Sequence, residues 1–236
     1  MKTKNLFLSM LAVAGVLFST SCSKEEIVSN PSSEFVNATF TLGTANGIGT
    51  RAEIGMGLKA DVVECAVFDA AGEEMENLRQ TVNVDMNSTP RTAQYSVRLA
   101  KGQNYRVVFF AYTSNSNAYN VENMKSIKIL PNQSSNIENR DAFTNYIDIK
   151  AEDLTNKSNL ENTVILKRPF AQLNLGVDAT ELADAANAGV VINQSKITVT
   201  NVYNAFNAFD NDVADDAVSA PMTFAMNAVP TEKLVV

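Results

Sequence analysis

Two cysteines and a cluster of aspartates are the residues of this sequence whose types could do chemistry, and histidine is not there to help them. The chain of 236 residues contains no His. The commonest general base, the commonest metal ligand and the usual partner of a nucleophilic Ser or Cys are therefore missing. Cys65 sits within Val62-Val63-Glu64-Cys65-Ala66-Val67-Phe68, and a thiol in such an apolar run reads as a packed, inert side chain. The aspartates Asp210, Asp212, Asp215 and Asp216 have the density of a calcium loop without its order. The sixth position lacks glycine, and Pro221 stands where the bidentate acid belongs, so a solvated loop and no metal are expected. Gly47-Ile48-Gly49 and Gly55-Met56-Gly57 lack the spacing of a phosphate or dinucleotide loop. With no Trp in the chain, nothing favours paired carboxylates acting on a sugar. The expectation is a non-enzymatic protein with no cofactor.

The other thiol closes a different kind of segment. Lys2 and Lys4 precede an uncharged apolar run, Leu6 to Phe18, and Ser19-Thr20-Ser21 lead into Cys22. Such a run spans about 20 Å as a helix, short of the roughly 30 Å hydrocarbon core, which fits a removable export signal. With the cysteine at that place the segment resembles a bacterial lipoprotein signal, Ser19 replacing the more usual leucine. The resemblance implies that Cys22 receives a lipid and becomes the N-terminus, with residues 1–21 removed and 22–33 left as a tether. Ser23-Lys24-Glu25-Glu26 resembles the acidic surface-export tag of Bacteroidetes lipoproteins, implying an outer-membrane, cell-surface location. Loss of residues 1–21 moves the formal charge from −7 to −9, with 17 basic against 26 acidic residues. That surface repels phosphate backbones and anionic headgroups, so nucleic acid is not an expected partner and attachment comes from the lipid. With Cys22 lipidated no intrachain disulfide can form, and the fold rests on its core.

The elements that position these residues are mostly strands. Val36, Ala38, Phe40 and Leu42 alternate with Asn37, Thr39 and Thr41, the period of a half-buried strand. The segment 43–57 is glycine-rich and reads as a long loop. Val62 to Phe68 and Tyr105 to Tyr112 are continuous apolar strands; Val82, Val84 and Met86, and Tyr95, Val97 and Leu99, alternate. Further strands are predicted over 126–130, 146–150 and 163–167. One helix is predicted over 180–188, with Asp178 or Thr180 as cap and Gly189 as stop. Many short strands between polar turns predict an all-β sandwich protein. After Lys167-Arg168-Pro169 a new alternating series begins with Ala171, Leu173, Leu175 and Val177, and Ile197 and Val199 continue it. The expected division is one sandwich over 34–167 and a second over 168–236. The second is too short to close and is expected to be incomplete, with an open apolar face.

Arg140-Asp141-Ala142-Phe143, the run Leu166-Lys167-Arg168-Pro169-Phe170-Ala171-Gln172-Leu173-Asn174, and Asn201-Val202-Tyr203-Asn204-Ala205-Phe206-Asn207 resemble the fimbrillin-like lipoproteins of the Bacteroidales, relatives of type V pilins. The resemblance implies two tandem transthyretin-like Greek-key β-sandwich domains. It also implies that an arginine-specific protease cuts after the first strand, which leaves a groove for a neighbour's strand. Arg51 matches the position of that cut, and Val36, Ala38, Phe40 and Leu42 match the strand. The expected function is a surface-anchored fimbrial or adhesive subunit assembled by strand exchange with like subunits. The alternative is a stand-alone surface lipoprotein that binds a glycan or host protein through its loops, with 113–124 and Tyr119 as the candidate surface.

Overall fold

The computed structural model describes residues 34–44, 59–130, 138–171, 174–226 and 234–235, all within one unit, Ser33–Val236. Cys22 and Arg51 lie outside the described residues. In chain order the strands are β1 (Phe35–Thr44), β2 (Val62–Phe68), β3 (Gln80–Asn83), β4 (Thr92–Ala100), β5 (Tyr105–Tyr112), β6 (Tyr119–Asn120), β7 (Ile127–Ile129), β8 (Phe143–Ile149), β9 (Asn159–Leu166), β10 (Asn174–Leu175), β11 (Ser195–Tyr203), β12 (Ala205–Asn207), β13 (Asp212–Val213), β14 (Ser219–Met226) and β15 (Leu234–Val235). The helices are α1 (Ala151–Leu154) and α2 (Ala179–Asn187). The chain is mostly β, as its alternating patterns predict.

A three-stranded sheet of order β4-β1-β9 packs on a four-stranded sheet of order β3-β2-β5-β8. β1 is the middle strand of the first, antiparallel to β4 and parallel to β9. Its alternation has a direct cause. Val36, Ala38, Phe40 and Leu42 enter the core with Tyr95, Val97 and Leu99 of β4, Val63, Cys65 and Val67 of β2, and Val107 and Phe109 of β5. Asn37, Thr39 and Thr41 take the opposite face. Removing a Val, Leu or Phe side chain from water stabilises a fold by about 1.5–3 kcal/mol.

β2 and β5 lack that alternation because both of their faces are covered. The second face, through Ala66, Phe68, Val108 and Phe110, packs against Met124, Ile127, Phe206 and Ala208. Those residues belong to or flank a further sheet of order β13-β12-β7-β6. β12 and β7 are drawn from distant parts of the chain, with Ala205 paired to Lys128 and Phe206 to Ile127. A backbone ladder therefore crosses the expected boundary between residues 167 and 168.

α2 forms where the sequence places it. The Asp178 carboxylate accepts hydrogen bonds from the Thr180 and Glu181 amides at 2.8 and 3.4 Å. Gly189, at φ +81°, ends the helix in a conformation that other residues resist. β3 is shorter than the Val82-Val84-Met86 alternation predicts. The Asp85 carboxylate accepts from the Asn87 amide at 3.0 Å, which turns the chain and leaves Met86 exposed. Beyond residue 170, Val177 is exposed rather than packed in the expected series. β11 and β14 pair with each other, and Val190, Val191, Ile192, Tyr203 and Val218 are exposed around them.

Candidate functional site

The place occupied by β1 is one of two described features that the sequence marks for function, the other being the loop 113–124 with Tyr119. Phe35 to Gly43 pair with Ala100 to Thr92 on one side, and Asn37 to Thr44 pair with Asn159 to Leu166 on the other. Val36, Ala38 and Phe40 are 0% exposed and Leu42 is 1%. The Phe40 ring lies 5.9 Å from Tyr95, nearly parallel to it, and 5.5 Å from Phe109. Tyr95 and Phe109 meet edge to face at 6.3 Å, so three rings fix the middle of the slot. The Tyr95 hydroxyl donates to the Leu78 carbonyl at 2.6 Å. Burial, with a smaller contribution from Cys65, pushes its ionisation up. The Cys65 thiol lies in the same core, and burial followed by the neighbouring Glu64 carboxylate pushes it up too. That is the inert thiol its apolar setting predicts.

On its outer face β1 carries the centre of a polar grid. Asn37 lies between Arg98 and Asn159, Thr39 between Ser96 and Glu161, and Thr41 between Gln94 and Thr163. Asn37 Nδ2 donates to Asn159 Oδ1 at 3.4 Å, and the Thr39 and Ser96 hydroxyls are 3.3 Å apart.

The segments that carry the family resemblance converge at a second place. Arg168 donates two hydrogen bonds to the Asp141 carboxylate at 2.8 and 2.7 Å, and its guanidinium lies 5.1 Å from the Phe143 ring centre. Phe170 stacks on Tyr119 at 6.0 Å and meets Phe206 edge to face at 5.4 Å. The Tyr119 hydroxyl donates to the Arg140 carbonyl, and burial pushes its ionisation up. Tyr119 is therefore half-buried in internal packing, within the loop 113–124 expected as the candidate surface. The same loop is tied down elsewhere, since the Ser114 amide and hydroxyl both donate to Asp61, at 2.8 and 2.9 Å.

Sequence reasoning missed two arginine-centred clusters. Glu64, in the midst of the apolar β2, is buried and pairs with Arg79 Nε at 2.5 Å, and it accepts from the Thr81 hydroxyl at 2.7 Å. Arg79 also pairs with Glu74 at 2.9 Å and donates to the Glu122 and Val121 carbonyls. A lone carboxylate inside seven otherwise apolar residues was the signal, because such a charge requires a partner. Arg106 lies 4.1 Å from the Tyr146 ring centre and 4.7 Å from that of Phe209. It donates to both Asp148 oxygens at 2.7 and 3.0 Å and to the Phe209 carbonyl at 3.0 Å. Nothing in its local sequence shows those partners.

The aspartates do not converge. Asp210 pairs with Arg106 at 3.4 Å. Asp216 accepts from Lys128 and Ser126, whose hydrogen bonds hold its carboxyl below the usual range. Among the described residues no group of three His, Cys, Asp or Glu side chains is placed to hold a metal ion. No helix among them is long and apolar enough to cross a membrane.

The sequence matches, over residues 32–235, a family described as a family of unknown function (DUF6562). The chain belongs to this family. No curated protein matches the DUF6562 chain at the sequence level. Among solved structures it is similar to a candidate polysaccharide-binding protein (DUF1812) from Bacteroides thetaiotaomicron. That match has 12% identity, covers 81% of this chain and 71% of that one, and has a TM-score of 0.50. It is also similar to a candidate adhesin from Bacteroides ovatus at 11% identity, covering 85% of this chain and 65% of that one, with a TM-score of 0.50. The fimbrial anchor protein Mfa2 from Porphyromonas gingivalis matches at 11% identity over 84% of this chain and 75% of that one, TM-score 0.47. The first two likenesses show a shared fold.

Proposed function

We propose that this DUF6562 chain is a lipoprotein, anchored through Cys22 at the outer-membrane surface, that serves as a fimbrial or adhesive subunit and exchanges its first strand for one from a like subunit. On this reading residues 1–21 are the export signal, 22–33 the tether, and 34–167 and 168–236 two transthyretin-like Greek-key sandwiches that share the sheet β13-β12-β7-β6. The observation that carries it is the setting of β1, a middle strand whose Val36, Ala38, Phe40 and Leu42 are wholly buried while both its edges are paired. Removing such a strand opens a groove with two rows of backbone partners and a line of apolar sockets, the chemistry of strand addition. Arg51 follows β1 in the glycine-rich segment, where a cut would free the strand. The names of two of the similar proteins, concerned with adhesion and polysaccharide binding, support a surface role.

The test uses the full precursor in a Bacteroides-type host. A clickable fatty acid should label the protein and fail to label Cys22→Ser. Brief treatment of intact cells with an arginine-specific protease should cut after Arg51 and yield SDS-resistant ladders, and Arg51→Ala should abolish both. A chain that stays whole, or is cut and stays monomeric, overturns strand exchange.

The second reading is a stand-alone lipoprotein that binds a glycan. Its support is the polar face of β1 and its neighbours, centred on Asn37, Thr39 and Thr41 and rich in amide and hydroxyl side chains. A monomer that retains β1 and is captured on a glycan array would establish it.

A further inference from the structure

We infer that the slot of β1 selects its occupant at one small-large pair, Ala38 followed by Phe40, and that this pair also sets which way round the occupant lies. The inference rests on the strand-exchange reading and deepens it. The partner it defines is a strand of another polypeptide chain with the order aliphatic, polar, Ala or Gly, polar, aromatic, polar, aliphatic.

The sockets are unequal because the neighbouring strands are. Ala38 lies opposite Val97 on β4 and Leu160 on β9, so large side chains flank it on both sides and a methyl group fills what is left. Ala38 is 0% exposed, and a close-packed site of that kind rejects added volume. Phe40 lies opposite Tyr95 and completes the three-ring cluster with Phe109. A small residue there leaves a cavity lined by two aromatic faces. Leu42 lies opposite Ala93, which leaves room for a larger side chain. The order of sizes along the slot is thus fixed by Val97, Leu160, Tyr95, Phe109 and Ala93.

The backbone alone does not choose a direction. The slot has an antiparallel neighbour on one side and a parallel neighbour on the other, so turning the occupant end for end merely exchanges the two kinds of ladder. Side-chain order must decide. Reversing the native order drives an aromatic ring into the Ala38 socket and leaves the Phe40 socket empty. Proline is barred through the paired stretch, since an occupant there has ladder partners on both sides.

The test places a tobacco-etch-virus protease site in the full chain within residues 45–58, cuts it, and offers synthetic peptides spanning residues 34–44 in mild denaturant, with uptake read by native mass spectrometry. One peptide is native, one carries Ala38→Leu, and one carries Ala38→Phe with Phe40→Ala, so that the small-large order is interchanged. A fluorophore on each peptide N-terminus is paired with an acceptor at Lys101→Cys in a Cys22→Ser background. Ala100 faces Phe35, and the far end of the strand is about 26 Å away. The native peptide should enter with its N-terminus beside the acceptor. The Ala38→Leu peptide should be taken up roughly tenfold less or worse. The interchanged peptide should enter end for end, its fluorophore remote from the acceptor. Equal uptake of native and Ala38→Leu peptides, or an interchanged peptide lying in the native direction, overturns the inference and leaves strand exchange standing. Failure of the native peptide to enter overturns both.

Discussion

Adjacent residues of β1 should differ sharply in what they contribute, and Phe40 and Thr41 give the cleanest comparison. Phe40 is 0% exposed, with ring neighbours at 5.9 and 5.5 Å. Phe40→Ala removes the ring from a cluster held on both sides by strands, so little collapse into the gap is open to it. Substitutions of this kind cost about 3–5 kcal/mol. For a unit of this size each kcal/mol moves the melting temperature by about 2–4 °C, so a fall of roughly 6–20 °C is expected. Thr41 points to the outer face, and Thr41→Ala should stay within about 0.5 kcal/mol of the parent. Urea unfolding followed by far-ultraviolet dichroism, in a Cys22→Ser background, measures both, and the dependence on urea should be unchanged in slope. A Phe40→Ala loss below about 1 kcal/mol would show that β1 is not the core strand described, and equal losses for the pair would show that its two faces are wrongly assigned.

Glu64→Gln should cost about 2–3 kcal/mol in the same assay, because Arg79 loses its closest anion but keeps Glu74 and two carbonyls; Glu64→Gln with Arg79→Met should recover part of it. A double-mutant cycle on Arg168→Ala and Asp141→Ala should return a coupling of about 1–3 kcal/mol, and additivity would mean the bidentate pair contributes nothing. In Cys22→Ser protein, Cys65 should resist Ellman's reagent until denaturant is added, and rapid labelling of the native state would contradict its burial. Tyr95 and Tyr119 have ionisation raised by burial, so the unfolded chain loses their protons first. Stability should hold up to the ordinary tyrosine value of about 10 and fall as pH rises beyond it. Tyr119→Phe should make that alkaline decline shallower, and an unchanged pH profile would refute the assignment.

What could be seen in the sequence was decided by how many faces of each element are buried. β1 has one wet face, so Val36, Ala38, Phe40 and Leu42 stand out by alternation. β2 and β5 have none, so they show as unbroken runs, and the run hid what it meant: a third layer lying over Phe68 and Phe110. α2 announced itself through local chemistry, since Asp178 and Gly189 act on their own helix. The arginine clusters act at long range. Arg106 meets Phe209 and Asp210 from more than a hundred positions away, and no local pattern encodes that. The packing of Tyr119 was not legible, because a tyrosine in a polar loop reads as exposed, while Phe110, Tyr112 and Phe170 lie around its ring. The candidate slot was legible as a strand, and part of β9 as another over 163–167, but their parallel pairing was not, because pairing across more than a hundred residues leaves no mark on either segment.

The position of β1 between two ladders also sets how it responds to tension. Inter-strand hydrogen bonds run across the strands, so a pull along the chain from Phe35 strains both rows together, in shear. No single bond can fail first, and the strand resists extraction as a unit. A pull across the strand at one end strains the bonds singly, like a zip. A strand held in this way is hard to drag out lengthwise. Release of β1 must therefore start at one end and proceed residue by residue, while a steady pull along the chain would leave it in place.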